Sequence, residues 1–195
     1  MANVHLVYVA AGALAWTLST AAIPAPLDDA AAAYGKGDYP AALNLWRPLA
    51  DKGNPEAQNR LGTMYYLGKG VKQDETEAAK WFRRAGDQGY ANAQINLGAA
   101  YSEGHGVKRN AAEAAKWYRR AAEQGNALAQ NNLGVMYAKG EGVAQDFVQA
   151  YMWYNLSAAQ GDNAAKKNRE RLTPKMASAQ VQDAQRLTRE WKAKK

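Results

Sequence analysis

The side chain best suited to acid–base or metal chemistry is His105. His5 is the other histidine of the chain, and none of the 195 residues is cysteine. A histidine-based catalytic or metal site needs supporting groups at defined positions. His105 instead lies between two glycines, where sister segments of the sequence carry Lys69 and Glu141. We therefore expect His105 to be a solvated loop residue, and we expect no catalytic residues, no bound metal and no cofactor.

Closely spaced acidic residues are a second candidate for acid–base work. Asp74 lies three residues before Glu77, and paired carboxylates can transfer protons. The same spacing recurs in two further pairs, Asn110 with Glu113 and Asp146 with Gln149. The recurrence indicates a capping box, in which each member satisfies a free backbone N–H at the start of a helix.

The glycine-rich and arginine-rich segments do not match a nucleotide or nucleic-acid site. The loops G-K-G-V, G-H-G-V and G-E-G-V lack the length and the Lys-Ser/Thr of a phosphate-binding loop. Arg83-Arg84 and Arg119-Arg120 are interspersed with acidic residues, a pattern typical of a solvated helix face. We expect no nucleic acid as a partner.

The strongest pattern is a set of residues that recur every 36 positions. Such a period is typical of stacked supersecondary units, none of which buries its apolar face alone. The aromatic members could stack on a ligand, but we favour packing in the core, because aromatic side chains fill gaps between helix pairs. The recurring residues are Leu61, Gly62, Tyr65 and Trp81; Leu97, Gly98, Tyr101 and Trp117; and Leu133, Gly134, Tyr137 and Trp153.

Each unit is predicted to contain two helices, which we call helix A and helix B. In the first unit, helix A carries Leu61 and Tyr65 at helical spacing and ends at Gly68, where a left-handed residue can close the last turn. Helix B follows the capping pair and stops before Gly89. Gly62 lies inside helix A, where glycine costs about 1 kcal/mol relative to alanine. We therefore expect a bulky ring to lie over Gly62.

These units predict an all-α solenoid of antiparallel helix pairs with capping segments at both ends. Residues 26–53 repeat the pattern in shortened form, and Thr173-Pro174 interrupts a segment that resembles helix A. The predicted units are an N-terminal cap at 26–53, three repeats at 54–89, 90–125 and 126–161, and C-terminal capping helices at 162–195. The apolar face of the last helix consists of Ala177, Val181, Ala184, Leu187 and Trp191.

The repeated motif A-Q-x-x-L-G-x-x-Y-x-x-G-x-G-V, followed by E-A-A-K-W-[FY]-R-R-A-A-E-Q-G, resembles the Sel1-like repeat, a relative of the tetratricopeptide repeat. The resemblance covers Gly53 to Gly161, and residues 26–53 look more like a tetratricopeptide half-repeat. It implies a right-handed α-superhelix that acts as an adaptor in protein complexes, often in bacterial envelopes. Some cysteine-rich members of the family are linked to penicillin binding or β-lactamase activity, but this chain lacks their Cys pairs and any S-x-x-K motif.

The net charge of +7 lies in the last helices. Residues 163–195 hold 10 basic and 3 acidic side chains, whereas the rest of the chain is balanced at 15 of each. Lys175, Arg186, Arg189 and Lys192 would form the polar outer face of a cap. The same charges favour an acidic partner, an anionic envelope polymer or a membrane surface.

The N-terminal segment carries the localisation signal. Residues 4–23 are almost entirely apolar, and the small residues Thr20-Ala21-Ala22 predict a signal peptide over residues 1–22, even though no Lys or Arg precedes the apolar run. A run of this length would also span a bilayer as an uncleaved anchor, and a buried or disordered tail is a third alternative. We expect an exported monomer, periplasmic or extracellular, with membrane anchoring as the alternative.

Together these patterns favour a non-enzymatic protein-interaction module of the bacterial envelope or secreted space. Two alternatives stay open: a repeat-borne hydrolase of cell-wall or β-lactam substrates, and an electrostatic binder of anionic polymer or membrane through the basic C-terminus. In stacked helix pairs helix A lines the concave side, where solenoids bind peptides or domains. We expect a protein or peptide partner to bind a strip of helix A residues: Asn59, Thr63 and Tyr66; Ile95, Ala99 and Ser102; and Asn131, Val135 and Ala138.

Overall fold

A computed structural model describes residues 26–194 of the chain, and this range is all-helical, as predicted. Consecutive helices pack against each other to form a solenoid. The predicted signal peptide lies outside the described residues, and no helix within them is long and apolar enough to cross a bilayer. The α-helices are α1 Pro26–Gly35, α2 Tyr39–Asp51, α3 Pro55–Leu67, α4 Glu75–Asp87, α5 Ala91–Glu103, α6 Ala111–Glu123, α7 Ala127–Lys139, α8 Phe147–Ala159, α9 Asn163–Leu172 and α10 Ser178–Glu190.

Helix B of each repeat begins at the predicted capping residue. In the first repeat the Asp74 carboxylate accepts a hydrogen bond from the backbone N–H of Glu77 at 2.9 Å. The reciprocal half of the predicted capping box is wrong: the backbone N–H of Asp74 donates to the carbonyl of Tyr65 at 2.9 Å, and the Glu77 side chain binds Lys80. The reason is that the end of helix A leaves its last carbonyls open, and the Tyr65 carbonyl takes this N–H.

Helices A and B of one repeat approach each other at the internal glycine of helix A. A Cβ added to Gly62 would lie 2.7 Å from the Phe82 ring, and one added to Gly134 would lie 2.7 Å from the Tyr154 ring. Both distances are shorter than any ordinary carbon contact, so the ring occupies the space of the missing side chain. The prediction of a ring over this glycine is confirmed, and the ring comes from helix B of the same repeat.

The recurring leucines and tryptophans form the core, as expected. Trp117 is 4% exposed, and the leucines and tryptophans at the matching positions are also buried. Arg120 lies over the Trp117 ring at 4.4 Å from its centroid, and Arg84 lies over Trp81 at the same distance. Both arginines are exposed, as predicted for a solvated helix face, and they also cover the edge of the core, because a planar guanidinium stacks well on an indole.

The recurring tyrosines stand at the edge of this core. Tyr137 is half-buried, and its hydroxyl accepts a hydrogen bond from Arg119 at 2.7 Å. In the same way, Arg47 binds the hydroxyl of Tyr65 in the first repeat, and Arg83 binds the hydroxyl of Tyr101 in the second. Each bond joins helix B of one unit to helix A of the next, so these tyrosines hold successive units in register.

A buried glutamine also joins each repeat to the unit before it. The side-chain amide N–H of Gln94 donates to the carbonyl of Gly86 at 3.0 Å, and its oxygen accepts from Gln124 at 2.9 Å. Gln58 and Gln130 make the same two contacts in the other repeats. The sequence pattern did not predict this network. The glutamine adds a second donor to a carbonyl near the end of the preceding helix B, which also accepts from the backbone N–H of the glycine after that helix, as Gly86 accepts from Gly89 at 3.0 Å.

The C-terminal helices cover the last repeat. α9 takes the place of a fourth helix A, a 3₁₀ turn at Thr173–Lys175 follows it, and α10 packs on α8. Ala184 is fully buried there, and Trp191 meets Trp153 edge-on at 6.2 Å. Val181 and Leu187 pack on the same surface, but Ala177 is exposed, since it is the N-cap residue of α10. Its place in the predicted apolar face is wrong.

Candidate functional site

The predicted binding strip separates into buried and accessible residues. Asn59, Ile95 and Asn131 are only 7%, 8% and 9% exposed. The Asn59 side-chain oxygen accepts from Asn96 at 2.9 Å, and Asn131 accepts from Asn168 at 3.0 Å. These two amides therefore link adjacent copies of helix A. The half-buried members of the strip are Thr63, Tyr66, Ala99, Ser102, Val135 and Ala138.

A first groove opens between α3, α4 and α5, with a volume of about 330 Å³. Its floor is apolar and includes Phe82 and Ala100, and its walls include Tyr66 and Ala99 from the predicted strip. The ring of Phe82 is the same ring that lies over Gly62, so the close approach of the two helices builds the floor.

The rim of this groove is formed by Glu75, Glu103 and His105, and we call it the acidic groove. His105 lies between the two carboxylates, with Nδ1 at 3.1 Å from Glu75 and Nε2 at 2.9 Å from Glu103. Its ring meets Tyr66 edge-on at 5.6 Å between centroids. A neutral imidazole has one N–H and can donate to only one of these carboxylates.

His105 lies in a loop, as expected, but its side chain is only about one-third exposed and is not simply solvated. It connects the loop of the second repeat to the start of α4 in the first. The next residue, Gly106, has a positive φ of 66° and lies against the backbone carbonyl of Glu75, where any Cβ would collide. This close approach is what carries His105 across the junction between repeats.

A second groove lies between α7, α8 and α9, with a volume of about 430 Å³. Its lining residues match those of the acidic groove at a separation of two repeats: Tyr154 takes the place of Phe82, and Leu172 takes the place of Ala100. Val135 and Ala138 of the predicted strip line its walls. The two grooves therefore have the same construction.

The rim of the second groove is formed by Lys139, Arg171 and Lys175, and we call it the basic groove. Lys139 forms an ion pair with Glu141, with 3.5 Å between the ammonium nitrogen and the carboxylate oxygen. No ion pair involves Arg171 or Lys175 within residues 26–194. Lys175 was predicted to lie on the outer face of a cap, and Arg171 was not predicted to belong to a site, but both line the groove.

The rim positions between the two grooves carry mixed charge. One repeat after the acidic groove, the matching rim positions are occupied by Ala111, Lys139 and Glu141. The helix A face thus passes from an acidic end, through a mixed centre, to a basic end.

Comparisons with known proteins agree with this architecture. Residues 55–90, 91–126 and 127–162 match the family model of the Sel1 repeat, each range beginning one residue after a predicted repeat. The crystal structure of a Sel1 repeat protein from Oxalobacter formigenes is similar, with 36% sequence identity and a TM-score of 0.70 over 73% of this chain. A protective antigen present in uropathogenic Escherichia coli strains, which displays an SLR fold, has 31% identity and a TM-score of 0.59 over 77% of this chain. The alignments span 59% and 40% of those two proteins, and no curated protein matches the chain significantly.

Proposed function

The chain belongs to the Sel1 repeat family, whose members are generally protein-interaction modules, and we propose that it binds an extended segment of a partner protein along its helix A face. The observation that carries this proposal is the recurrence of one groove, with an apolar floor and a polar rim, at two positions on that face. Concave sites of this volume and composition are typical of ligand binding.

An extended segment suits this face better than a helix. Successive copies of helix A lie side by side, joined by the Asn59–Asn96 and Asn131–Asn168 hydrogen bonds. The helix A face therefore presents its two grooves at an interval along the stack. An extended chain that crosses the helices can place one side chain in each groove. The half-buried Ser102 lies between the two grooves along the chain and can hydrogen-bond the backbone of such a segment.

The proposal includes a non-catalytic role and export. The contacts of His105 are with Glu75 and Glu103 across a repeat junction, which supports a structural and binding role for it. Export rests on the apolar segment of residues 4–23. The basic C-terminal helices offer an additional contact for an anionic polymer or membrane.

Site-specific photocrosslinking in the organism that makes the protein tests this proposal. A photoreactive amino acid at position 66 or 138, on the helix A face, should capture a discrete partner protein. The matched controls are positions 80 and 116, whose lysines are 62% and 66% exposed on helix B. Equal capture from both pairs of positions would contradict binding at the helix A face. The mass of the recovered chain reports whether residues 1–22 have been removed.

A further inference from the structure

The two grooves have matching shapes and opposite charges, and this difference specifies a partner. We propose that the bound segment carries a basic side chain, which enters the acidic groove, and an acidic side chain, which enters the basic groove. This inference rests on the proposed function and adds the chemistry of the partner. The charge complementarity of the two rims is the argument for it.

The basic groove offers charge to a ligand through Arg171 and Lys175, which form no ion pair within residues 26–194, whereas its third cation, Lys139, pairs with Glu141. Two other basic residues of the C-terminal segment do form ion pairs: Arg186 binds Asp183 and Glu190, and Lys194 binds Glu123. Arg171 and Lys175 stand at the mouth of the groove, above Tyr154 and Leu172. A carboxylate on a short aliphatic stem would meet these cations while its stem covers the apolar floor.

The acidic groove suits a long basic side chain. Lysine and arginine carry an aliphatic stem that packs on apolar surface while the charged end reaches polar groups. In this groove the stem would lie on Phe82, and the charge would reach Glu75 and Glu103 beside the face or edge of Tyr66. Each carboxylate has two oxygens and only one of them faces His105, so an incoming cation can donate to the other.

The separation of the grooves sets the separation of the two charges. Copies of helix A meet mainly through side chains, as in the Asn59–Asn96 hydrogen bond, so the upper end of the usual spacing of neighbouring helices, about 10 Å, applies to them. The grooves are two copies of helix A apart, and an extended chain at about 3.3 Å per residue covers the resulting span of about 20 Å in about six residues. The partner segment should carry opposite charges at this spacing, in either chain direction.

A peptide-binding experiment on the full chain tests the inference. The probes are fluorescent pools of ten-residue peptides with two fixed charged positions, about six residues apart, and randomised uncharged residues elsewhere. One pool is bipolar, one carries two lysines, one carries two glutamates, and one carries two glutamines. The wild-type protein should bind the bipolar pool at least about tenfold more tightly than the like-charged pools, since like charges facing each other are strongly unfavourable.

Two variants reverse one groove each. With Arg171→Glu and Lys175→Glu both grooves are acidic, and the protein should prefer the dilysine pool. With Glu75→Lys and Glu103→Lys both grooves are basic, and it should prefer the diglutamate pool. The control, Lys166→Glu with Lys167→Glu, makes the same charge change at exposed positions of α9 outside the groove and should retain the wild-type preference.

Each outcome tests either the bipolar partner or the proposed peptide-binding function. Binding of all four pools with equal affinity would overturn the bipolar partner and leave the peptide-binding function standing. Binding of the diglutamate pool alone, weakened equally by the groove and control variants, would overturn it in favour of diffuse anion binding. If no pool binds, the proposed function itself fails. Circular dichroism of each variant shows that the helices are intact, so that loss of binding is not loss of the fold.

Discussion

The acidic groove and the basic groove share a floor and differ in their rims. In both, an aromatic ring of helix B fills the space above a helix A glycine, Phe82 over Gly62 and Tyr154 over Gly134. At the rim, Glu103 of the acidic groove corresponds to Lys175 of the basic groove, two repeats later.

This comparison shows which positions of a repeat are constrained by folding. The floor must satisfy close helix packing, and an error there costs stability in every neighbouring unit. A rim residue is partly solvated, and changing its charge usually alters stability by less than about 0.5 kcal/mol. Stacked repeats can therefore keep one groove shape while the charge of each groove changes independently.

The largest expected effect follows from opening a cavity in the buried core that supports the floor of the acidic groove. Trp117 is 4% exposed and belongs to the same buried cluster as Phe82 and Leu97, beneath the acidic groove. Trp117→Ala should lower the free energy of unfolding by about 3–5 kcal/mol, because it leaves a large cavity in the core. Urea unfolding measures this loss. Lys116→Ala, at the exposed neighbouring position, is the control and should unfold almost like wild type.

Wild-type stability of Trp117→Ala would mean that the ring is not part of the core. The recurring tryptophans would then be available to stack on a ligand, and the distinction between floor and rim would fail.

A smaller effect is expected at the junction between the second and third repeats. Gln130 is fully buried in α7, where it donates to the Ala122 carbonyl at 3.2 Å and accepts from Gln160 at 2.9 Å. Gln130→Leu keeps most of the volume but removes both buried hydrogen bonds of the side chain, which should cost about 1–3 kcal/mol, although the Ala122 carbonyl still accepts from the backbone N–H of Gly125 at 2.9 Å. The control is Gln145→Leu, which removes an exposed hydrogen bond to Ala138. Equal unfolding midpoints in urea for the two variants would show that the buried network contributes nothing.

The smallest effect at neutral pH is expected for the tyrosine rings that lie over the helix A glycines, and their response to alkaline pH distinguishes them from Phe82. Burial raises the pKa of Tyr154 to about 12, and burial together with the charge of Glu103 raises that of Tyr118 to about 12, from an ordinary value near 10. Between pH 10 and 12 the unfolded chain loses these protons first, so the stability that they contribute is present below pH 10 and is lost as the pH rises through 12. Phe82, at the matching position of the first repeat, has no such proton.

Replacing both tyrosines, Tyr118→Phe with Tyr154→Phe, should leave melting at pH 8 nearly unchanged and make the loss of stability from pH 10 to 12 less steep. Melting curves followed by circular dichroism across this range measure the slope. Parallel curves for the variant and the wild type would mean that neither hydroxyl is buried in the folded state.

Much of the fold could be predicted from the 36-residue period and from local signals. Gly68 ends helix A in the left-handed conformation at φ 66°, and Asp74 caps helix B, both as expected. These predictions succeed because helix ends depend on a few neighbouring residues and on backbone conformation. The ring over Gly62 was also predictable, since a glycine inside a helix needs a packing reason.

The candidate site was predicted only in part. The predicted strip contains Tyr66 and Ala138, which line the walls of the two grooves. It also contains Asn59 and Asn131, whose side chains instead bind the adjacent copy of helix A. Helical periodicity shows which residues share a face of one helix. It does not show how much of that face a neighbouring helix covers.

The sequence by itself determined the repeated unit, its helix ends, its buried aromatic positions and the excess of basic charge near the C-terminus, because each of these is a local or periodic property. Only the tertiary structure decided where the charges meet. It brings His105 across a repeat junction to Glu75, 30 positions earlier in the chain, and it turns Arg171 and Lys175 towards a groove. Such contacts depend on the stacking of one repeat on the next, which no single segment of the sequence encodes.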